Sequence, residues 1–505
     1  MGIFKTVHKT WLNFKMLCRR LTCNQFSYVV IIVIAASFVI FLRNYGGRDC
    51  PPSHVTMGYQ SEPQTCNATS TPTQVLRYAV YGRQVDSGHL RHVFETLSLY
   101  GYQRVETVED DWHVLWSHDY PFQRIAHVTR NLKPYQKVNH FPGTGFITNK
   151  MDLSTTGLKF SPVAFRIPEQ KKELINYAAN NPSKMFVQKS NDHRGIQIKN
   201  LDDIELDRPG SFVQEFVANP LLIDGYKFDI GVYTTVTSFD PLRVYIYNGD
   251  ALLRYCPEKY YPFDPSNLDK YVIGDDYLPT WEVPALKDYY TTLGYSMKDA
   301  FDGYLIDSGR NPKKIWEQIE DAIREVCLSK EPMIMKYLST YKSKRNFFEM
   351  MRFDFVVDDN LNVFVMEVNM SPNLSSAHFL ENQVLYEQVL FNLFSLVGLG
   401  TFGYLKNDRA LVSDKNLMVS PSECAACGTS CTAPECHLCK PCLTPQMKLT
   451  LKDAYLEHMN RRDCKRIYPV ENVNQTVFTD DDLGPENRLM KMWFKKKCIS
   501  DPSWC

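Results

Sequence analysis

The stretch Met351–Leu374, MRFDFVVDDNLNVFVMEVNMSPNL, decides the fold of this chain. Two runs rich in Val and Phe, MRFDFVVDD and NVFVMEVN, meet near Asp359-Asn360 and read as the strands of a β-hairpin. Inside that apolar hairpin stand Asp354, Glu367 and Asn369. Glu367 and Asn369 are two residues apart and share a face, because side chains alternate along a strand, and Asp354 can face them across the ladder. Three oxygen donors on one sheet face suit Mg²⁺, which takes carboxylates together with phosphate oxygens and water. Shielded carboxylates without a cation would repel one another and shift their titration. Read alone, the same residues also fit the polar face of an edge strand.

Upstream lies a dense β-rich block, KMFVQKS, GSFVQEFV, YKFDIGVYTTVTS, LRVYIYNG and ALLRYC, followed by the amphipathic helix IWEQIEDAIREVCLSK. These fill residues 156–402. Lys189 ends its strand and opens the loop SNDHRG, where backbone N–H groups and a lysine can cradle phosphate. Lys227 and Asp229 alternate in YKFDI and share a face. Arg254 follows an apolar ALL, and its fork matches a carboxylate in two places. Taken singly, each is equally a solvated strand residue. Before the block, residues 76–155 read as a small α/β lobe, with strands LRYAVYG and WHVLWS around the helix HLRHVFETLSLYGY.

The 505 residues are 44% hydrophobic and 23% charged, enough apolar content for a large core. A formal net charge of +0 gives no global attraction to nucleic acid. Residues 26–42, FSYVVIIVIAASFVIFL, carry no charge and span ~26 Å as a helix, so one transmembrane helix is expected there. The tail 1–25 holds Lys5, Lys9, Lys15, Arg19 and Arg20, against Arg43 and Arg48 beyond the span, which keeps the N-terminus cytosolic. Residues 43–75 read as a linker. The region 403–505 is Cys-rich and charged. Its cysteines 424, 427, 431, 436, 439 and 442 have spacings that allow structural zinc or disulfides, and the sequence leaves that choice open. The run Lys491, Lys495, Lys496 and Lys497 reads as a solvated chain end or as a contact for acidic partners.

Several of these features occur together in one order. VNHFPG at 138–143 with Lys150, FVQKS at 186–190 with Arg194 and Gly195, Gln214-Glu215-Phe216-Val217, PLLIDGYKFDI at 220–230, Arg254 with Glu258-Lys259-Tyr260, and the hairpin with its SPNL exit resemble the tubulin–tyrosine-ligase-like family. The likeness runs from about residue 110 to 376. It implies a mixed α/β (α+β) ATP-grasp fold with a small N-terminal α/β lobe. It implies ATP at Lys150, Lys189, Arg194, Gly195, Lys227 and Asp229, with adenine at Gln214–Val217. Mg²⁺ or Mn²⁺ would sit on Asp354, Glu367 and Asn369, and Arg254, Lys227 and Asp229 would act in the reaction. That reaction would join free glutamate to carboxylates of tubulin tails through an acyl phosphate, with tubulin or microtubules as partner. A glycine-adding ligase and a membrane-tethered binding protein without catalysis are the alternatives. Three departures stand out. Gln197 occupies a phosphate-loop position where the pattern has glycine. Gly231 occupies the arginine position of KFD-x-R, leaving the site one positive charge short. PSNLDKYVIGDDYLPTWEVP replaces the HLTN-like stretch expected after Tyr260. The side of the membrane on which the ligase domain lies is left open, since tubulin is cytosolic and the charge bias sends the domain across.

Overall fold

The run LRYAVY supplies the first strand, β1 (Leu76–Tyr81). With β2 (Tyr102–Arg104), β3 (Val114–Ser117) and β4 (Lys137–Val138) it forms a parallel sheet of order β2-β1-β3-β4. Parallel neighbours need a crossover. Helix α1 (Arg91–Leu99) makes the first one, burying His92, Val93, Thr96 and Leu97 on a single face. The computed structural model describes residues 75–190, 197–401, 412–419, 421–470 and 483–505. The expected tail, transmembrane helix and linker up to residue 74 therefore lie outside the described residues. Among those described, no helix is long and apolar enough to cross a membrane.

A second sheet is antiparallel, ordered β5-β8-β6-β7 from β5 (Ala164–Ile167), β6 (Phe186–Ser190), β7 (Gln197–Lys199) and β8 (Ser211–Glu215). Helix α2 (Lys171–Asn180) covers it, and Phe165, Ile167, Leu174, Phe186 and Val213 make a small core of their own.

The third and largest sheet is built on β10 (Tyr226–Phe239), a strand of 14 residues buried over nearly all its length. β11 (Leu242–Tyr247), β12 (Leu252–Lys259) and β14 (Glu349–Val357) all pair with β10 in antiparallel sense. β9 (Leu222–Ile223), β13 (Leu278–Pro279) and β15 (Val363–Asn369) extend it. Helix α3 (Lys313–Leu338), which contains the amphipathic run read from the sequence, packs its buried Ile315, Ile319, Ile323 and Val326 into the main core. The first sheet is fastened to the third through the VNHFPG motif. His140 and Glu349 are both fully buried, with His140 Nδ1 2.6 Å from Glu349 and Nε2 2.8 Å from the Ser117 carbonyl. Glu349 also accepts from the Phe141 N–H and the Thr144 hydroxyl. This motif is a brace on which the segment leading to Lys150 is hung.

The sequence sets residues 403–505 apart; the fold does not. β16 (Cys464–Tyr468) pairs with β11 and ends the central sheet. Helix α4 (Pro445–Asn460) sends Glu457 to Arg243 on β11, with bonds of 2.8 and 2.9 Å, and to the Thr237 hydroxyl of β10. Helix α5 (Pro485–Ser500) packs Met490, Trp493 and Phe494 into a local core with Leu451 and Trp504. The six clustered cysteines are paired as disulfides, Cys424–Cys439, Cys427–Cys436 and Cys431–Cys442, and a fourth joins Cys498 to Cys505. The sequence leaves zinc or disulfides open; in this structure the sulfurs are joined to one another. The lysine run is also not a free patch: Lys496 is ion-paired with Glu423, and Lys497 lies 5.2 Å over the Trp504 ring.

Candidate active site

A cavity of about 700 Å³ is lined by strands of the second and third sheets. Why the hairpin faces it correctly depends on one extra residue. Phe355 pairs with Val365, yet Asp354 pairs with Glu367, so Met366 is a β-bulge. Without it Asp354 would oppose Met366, and Glu367 would point to the other face. The break is visible in the burial, where Val363, Val365 and Val368 are buried at spacings of two and then three. The bulge places Asp354 beside Glu367 and Arg352 beside Asn369.

Asp354 is the most heavily bonded group in the cavity wall. Arg352 grips it with Nε at 2.7 Å and Nη2 at 2.8 Å. Arg254 Nη2 reaches it at 3.1 Å and Asn369 Nδ2 at 2.9 Å. Four donors fill the roughly four lone-pair positions of a carboxylate. Burial pushes the Asp354 carboxyl up, but Arg352 and Arg254 outweigh that and hold it below the usual range. Asp229 pairs with Arg254 in the β10–β12 register and accepts from its Nε and Nη2 at 3.0 and 2.7 Å. Burial raises the Asp229 carboxyl, Arg254 only partly offsets this, and Asp354 adds to the rise.

On the second sheet, Lys189 donates to Gln214 Oε1 at 2.8 Å. Burial and the ammonium of Lys150 push Lys189 down to about 8, with Lys227 adding to the effect. Lys150 lies 3.2 Å from Glu367, tying the phosphate side to the hairpin. Glu215 and Phe216 line the cavity near the second sheet, and the Phe216 ring stands 5.8 Å from that of Tyr271. Glu215 is held from behind by Tyr177 and Lys184.

The cavity therefore gathers Lys150, Lys189, Gln214, Glu215, Phe216, Val217, Lys227, Asp229, Arg254, Asp354, Glu367 and Asn369 from distant parts of the chain. Arg194 and Gly195 lie outside the described residues, as does the side chain of Gln197. Sequence reasoning missed Arg352, two residues before Asp354 on the same strand and therefore on its face. It also missed Tyr277, which accepts from Asn382 at 2.7 Å, and the Tyr271–Asp275 segment, which stands where the sequence shows no HLTN-like stretch. The signal for Arg352 was a charge inside an otherwise apolar MMRFDFVV. The same residue lies over Gly231: the Cδ and Nε of Arg352 occupy the space that a side chain there would enter.

The donor set of Glu367, Asn369 and Asp354 is made of hard oxygens and fits a divalent cation. Glu367 and Asn369 are half-exposed in the cavity wall, whereas Asp354 reaches a metal only by yielding one of its four bonds.

The sequence model described as "Tubulin-tyrosine ligase family" matches residues 128–402. The chain is 44% identical over 442 residues to the "Probable tubulin polyglutamylase ttll-15" of Caenorhabditis elegans, covering 83% of this chain and 84% of that protein. It is 30% identical over 375 residues to the "Tubulin monoglutamylase TTLL4" of Homo sapiens, covering 70% of this chain and 30% of that protein. With the "Tubulin polyglutamylase TTLL6" of Mus musculus it shares 29% over 317 residues, 58% of this chain and 37% of that protein.

Proposed function

The chain belongs to the tubulin–tyrosine ligase family, and from that premise we propose that it is an ATP-dependent carboxylate–amine ligase of ATP-grasp type that adds glutamate to glutamate-rich tails. The observation that carries this reading is one cavity that brings Lys150, Lys189 and Lys227 together with Asp229, Asp354 and Glu367 and the end of β8. Lys189, Lys150 and Lys227 offset the charge of the ATP phosphates, and the β8 end with Phe216 receives the adenine. Glu367 and Asn369, with Asp354, would hold Mg²⁺ or Mn²⁺, which would supply charge neutralisation at the transferring phosphoryl group. An acceptor carboxylate oxygen attacks the γ-phosphorus and ADP leaves, giving an acyl phosphate. The glutamate amine then attacks the acyl carbon, phosphate leaves with the bonding pair, and the amine proton passes to solvent. Arg254, fixed by Asp229 through two nitrogens, is assigned to the carboxylate of the incoming amino acid.

The relatives' names point to tubulin as the acceptor. Two observations support a different acidic protein: disulfides persist in oxidising compartments, and the charge bias before residue 26 sends the domain to the non-cytosolic side. Protease protection of a C-terminal tag in intact membranes separates the two acceptors. The ligase reading itself is tested with labelled glutamate, MgATP and an oligoglutamate peptide. Incorporation is expected, and Glu367→Gln abolishes it while leaving the circular dichroism unchanged. Full activity in that variant refutes the metal assignment, and ATP binding without any incorporation selects the non-catalytic binding protein.

A further inference from the structure

Gly231 sits in the centre of β10, between Asp354 on β14 and Leu252 on β12. Its backbone is ordinary strand and it is absent from the positive-φ glycines of the described chain, so conformational freedom does not account for it. Glycine weakens a strand interior, and one placed there marks a close approach of other atoms. A Cβ at 231 would stand 2.9 Å from Cδ and 3.2 Å from Nε of Arg352, and 3.3 Å from Oδ1 of Asp354. The missing side chain makes a gap, and Arg352 fills it from the neighbouring strand.

Arg352 is only 6% exposed, yet it forms part of the cavity wall beside Arg254. Its Nε and Nη2 are committed to Asp354, whereas Nη1 bonds no carboxylate among the described residues. A buried arginine in a central sheet is a large expense for a merely structural pair, because apolar side chains would pack there without desolvating two charges. The guanidinium also neighbours the buried Tyr233 hydroxyl, and a planar guanidinium in a cavity wall is suited to an anionic oxygen of a substrate.

We propose that Arg352 is a substrate-binding residue for the acceptor's side-chain carboxylate. It supplies from β14 the positive charge that KFD-x-R places on β10, and Gly231 is the space that lets it do so. This rests on the ligase reading for the identity of the acceptor. The position of the guanidinium in the cavity is independent of that reading.

The test uses the full-length chain in detergent, with the non-hydrolysable analogue AMP-PNP, Mg²⁺ and a fluorescent oligoglutamate peptide. Arg352→Gln should weaken peptide binding by about tenfold or more while AMP-PNP affinity stays within about threefold. Gly231→Arg alone places two long side chains in one gap and should weaken peptide binding as well. The double variant Gly231→Arg/Arg352→Gly moves the guanidinium to the other strand, where it again meets Asp354, and should return peptide affinity to within about threefold of wild type. Arg352→Gln leaves Asp354 short of its main partner; if it does not fold, the double variant decides. The proposal is overturned if Arg352→Gln binds peptide like wild type. It is also overturned if the double variant folds and binds AMP-PNP but regains no peptide affinity, or if the wild type binds no acidic peptide. A wild type that binds peptide but never transfers glutamate removes the ligase reading and leaves the role of Arg352 in place.

Discussion

Lys189, which we assign to the ATP phosphates, has its ammonium pushed down to about 8 by burial and by Lys150 and Lys227. Phosphate beside it restores the charged form, so binding ATP at alkaline pH must draw in a proton. With the empty-site value near 8 and a bound value back near that of a free lysine, uptake per ATP is ~0.1 proton at pH 7, ~0.5 at pH 8 and ~0.9 at pH 9. The same linkage weakens ATP affinity about tenfold between pH 7 and pH 9. The sign for folding follows. The unfolded lysine holds its proton to a higher pH than the folded one, so the penalty is fully present below about pH 8 and fades as pH rises towards the unfolded value. Its full size is about 3 kcal/mol as an upper figure, since the side chain is half-buried and water screens part of it. Isothermal titration calorimetry in two buffers of different ionisation enthalpy measures the uptake directly. Lys189→Met should abolish its pH dependence. Uptake that is flat from pH 7 to 9, or equal in wild type and Lys189→Met, would refute the assignment of Lys189 to the phosphates.

Two stability effects follow from other buried charges. Burial raises the Asp250 carboxyl from 3.8 to about 6, against the N–H bonds it accepts from Lys298 and Ala251, so its ionisation burdens the fold increasingly above pH 3.8 and fully above about pH 6. Asp250→Asn keeps an acceptor oxygen and should raise stability by about 1–3 kcal/mol at pH 7.5, a gain that falls to about half near pH 5 and disappears only below the unfolded carboxyl value, as followed by urea melts at pH 7.5, 5 and about 3.5. Glu457→Ala strips the buried Arg243 of its only carboxylate partner among the described residues and should cost about 3–5 kcal/mol in the same melts, with loosening of β16 visible by hydrogen exchange. A loss below about 1 kcal/mol would show that the C-terminal region is held elsewhere.

The hairpin was legible because its polar residues interrupt Val and Phe runs. Asp354, Glu367 and Asn369 come together as their two-residue spacing and the apolar flanks suggest. The bulge at Met366 that makes this possible was written in the broken alternation of VFVMEVN, yet a strand read as uniform hides it. Arg352 stood out as a charge in an apolar strand, but what it packs against was hidden for a different reason. Its role depends on Gly231, more than a hundred residues away, and only the β10–β14 register brings the two into one space. The cysteines show a third kind of limit. Their spacing is compatible with metal or covalent closure, and pairing is decided by three-dimensional proximity alone. In the C-terminal region, composition suggested a charged appendage because β16 is a short strand, CKRIY, whose partner β11 lies over two hundred residues earlier.

That last pairing has a consequence for how the protein can be divided. β11, LRVYIY, has five of its six residues buried and lies against β10 on one side. Remove β16 and its other side becomes a bare edge: a row of open N–H and C=O groups on an apolar ribbon, which is the template on which chains add to one another and precipitate. The family match stops at residue 402, so a chain trimmed to that boundary would lose β16 along with Glu457, the partner of Arg243. The trimmed piece should come out of expression as aggregate, and the C-terminal hundred residues act as the cover that keeps the ligase sheet from polymerising on itself.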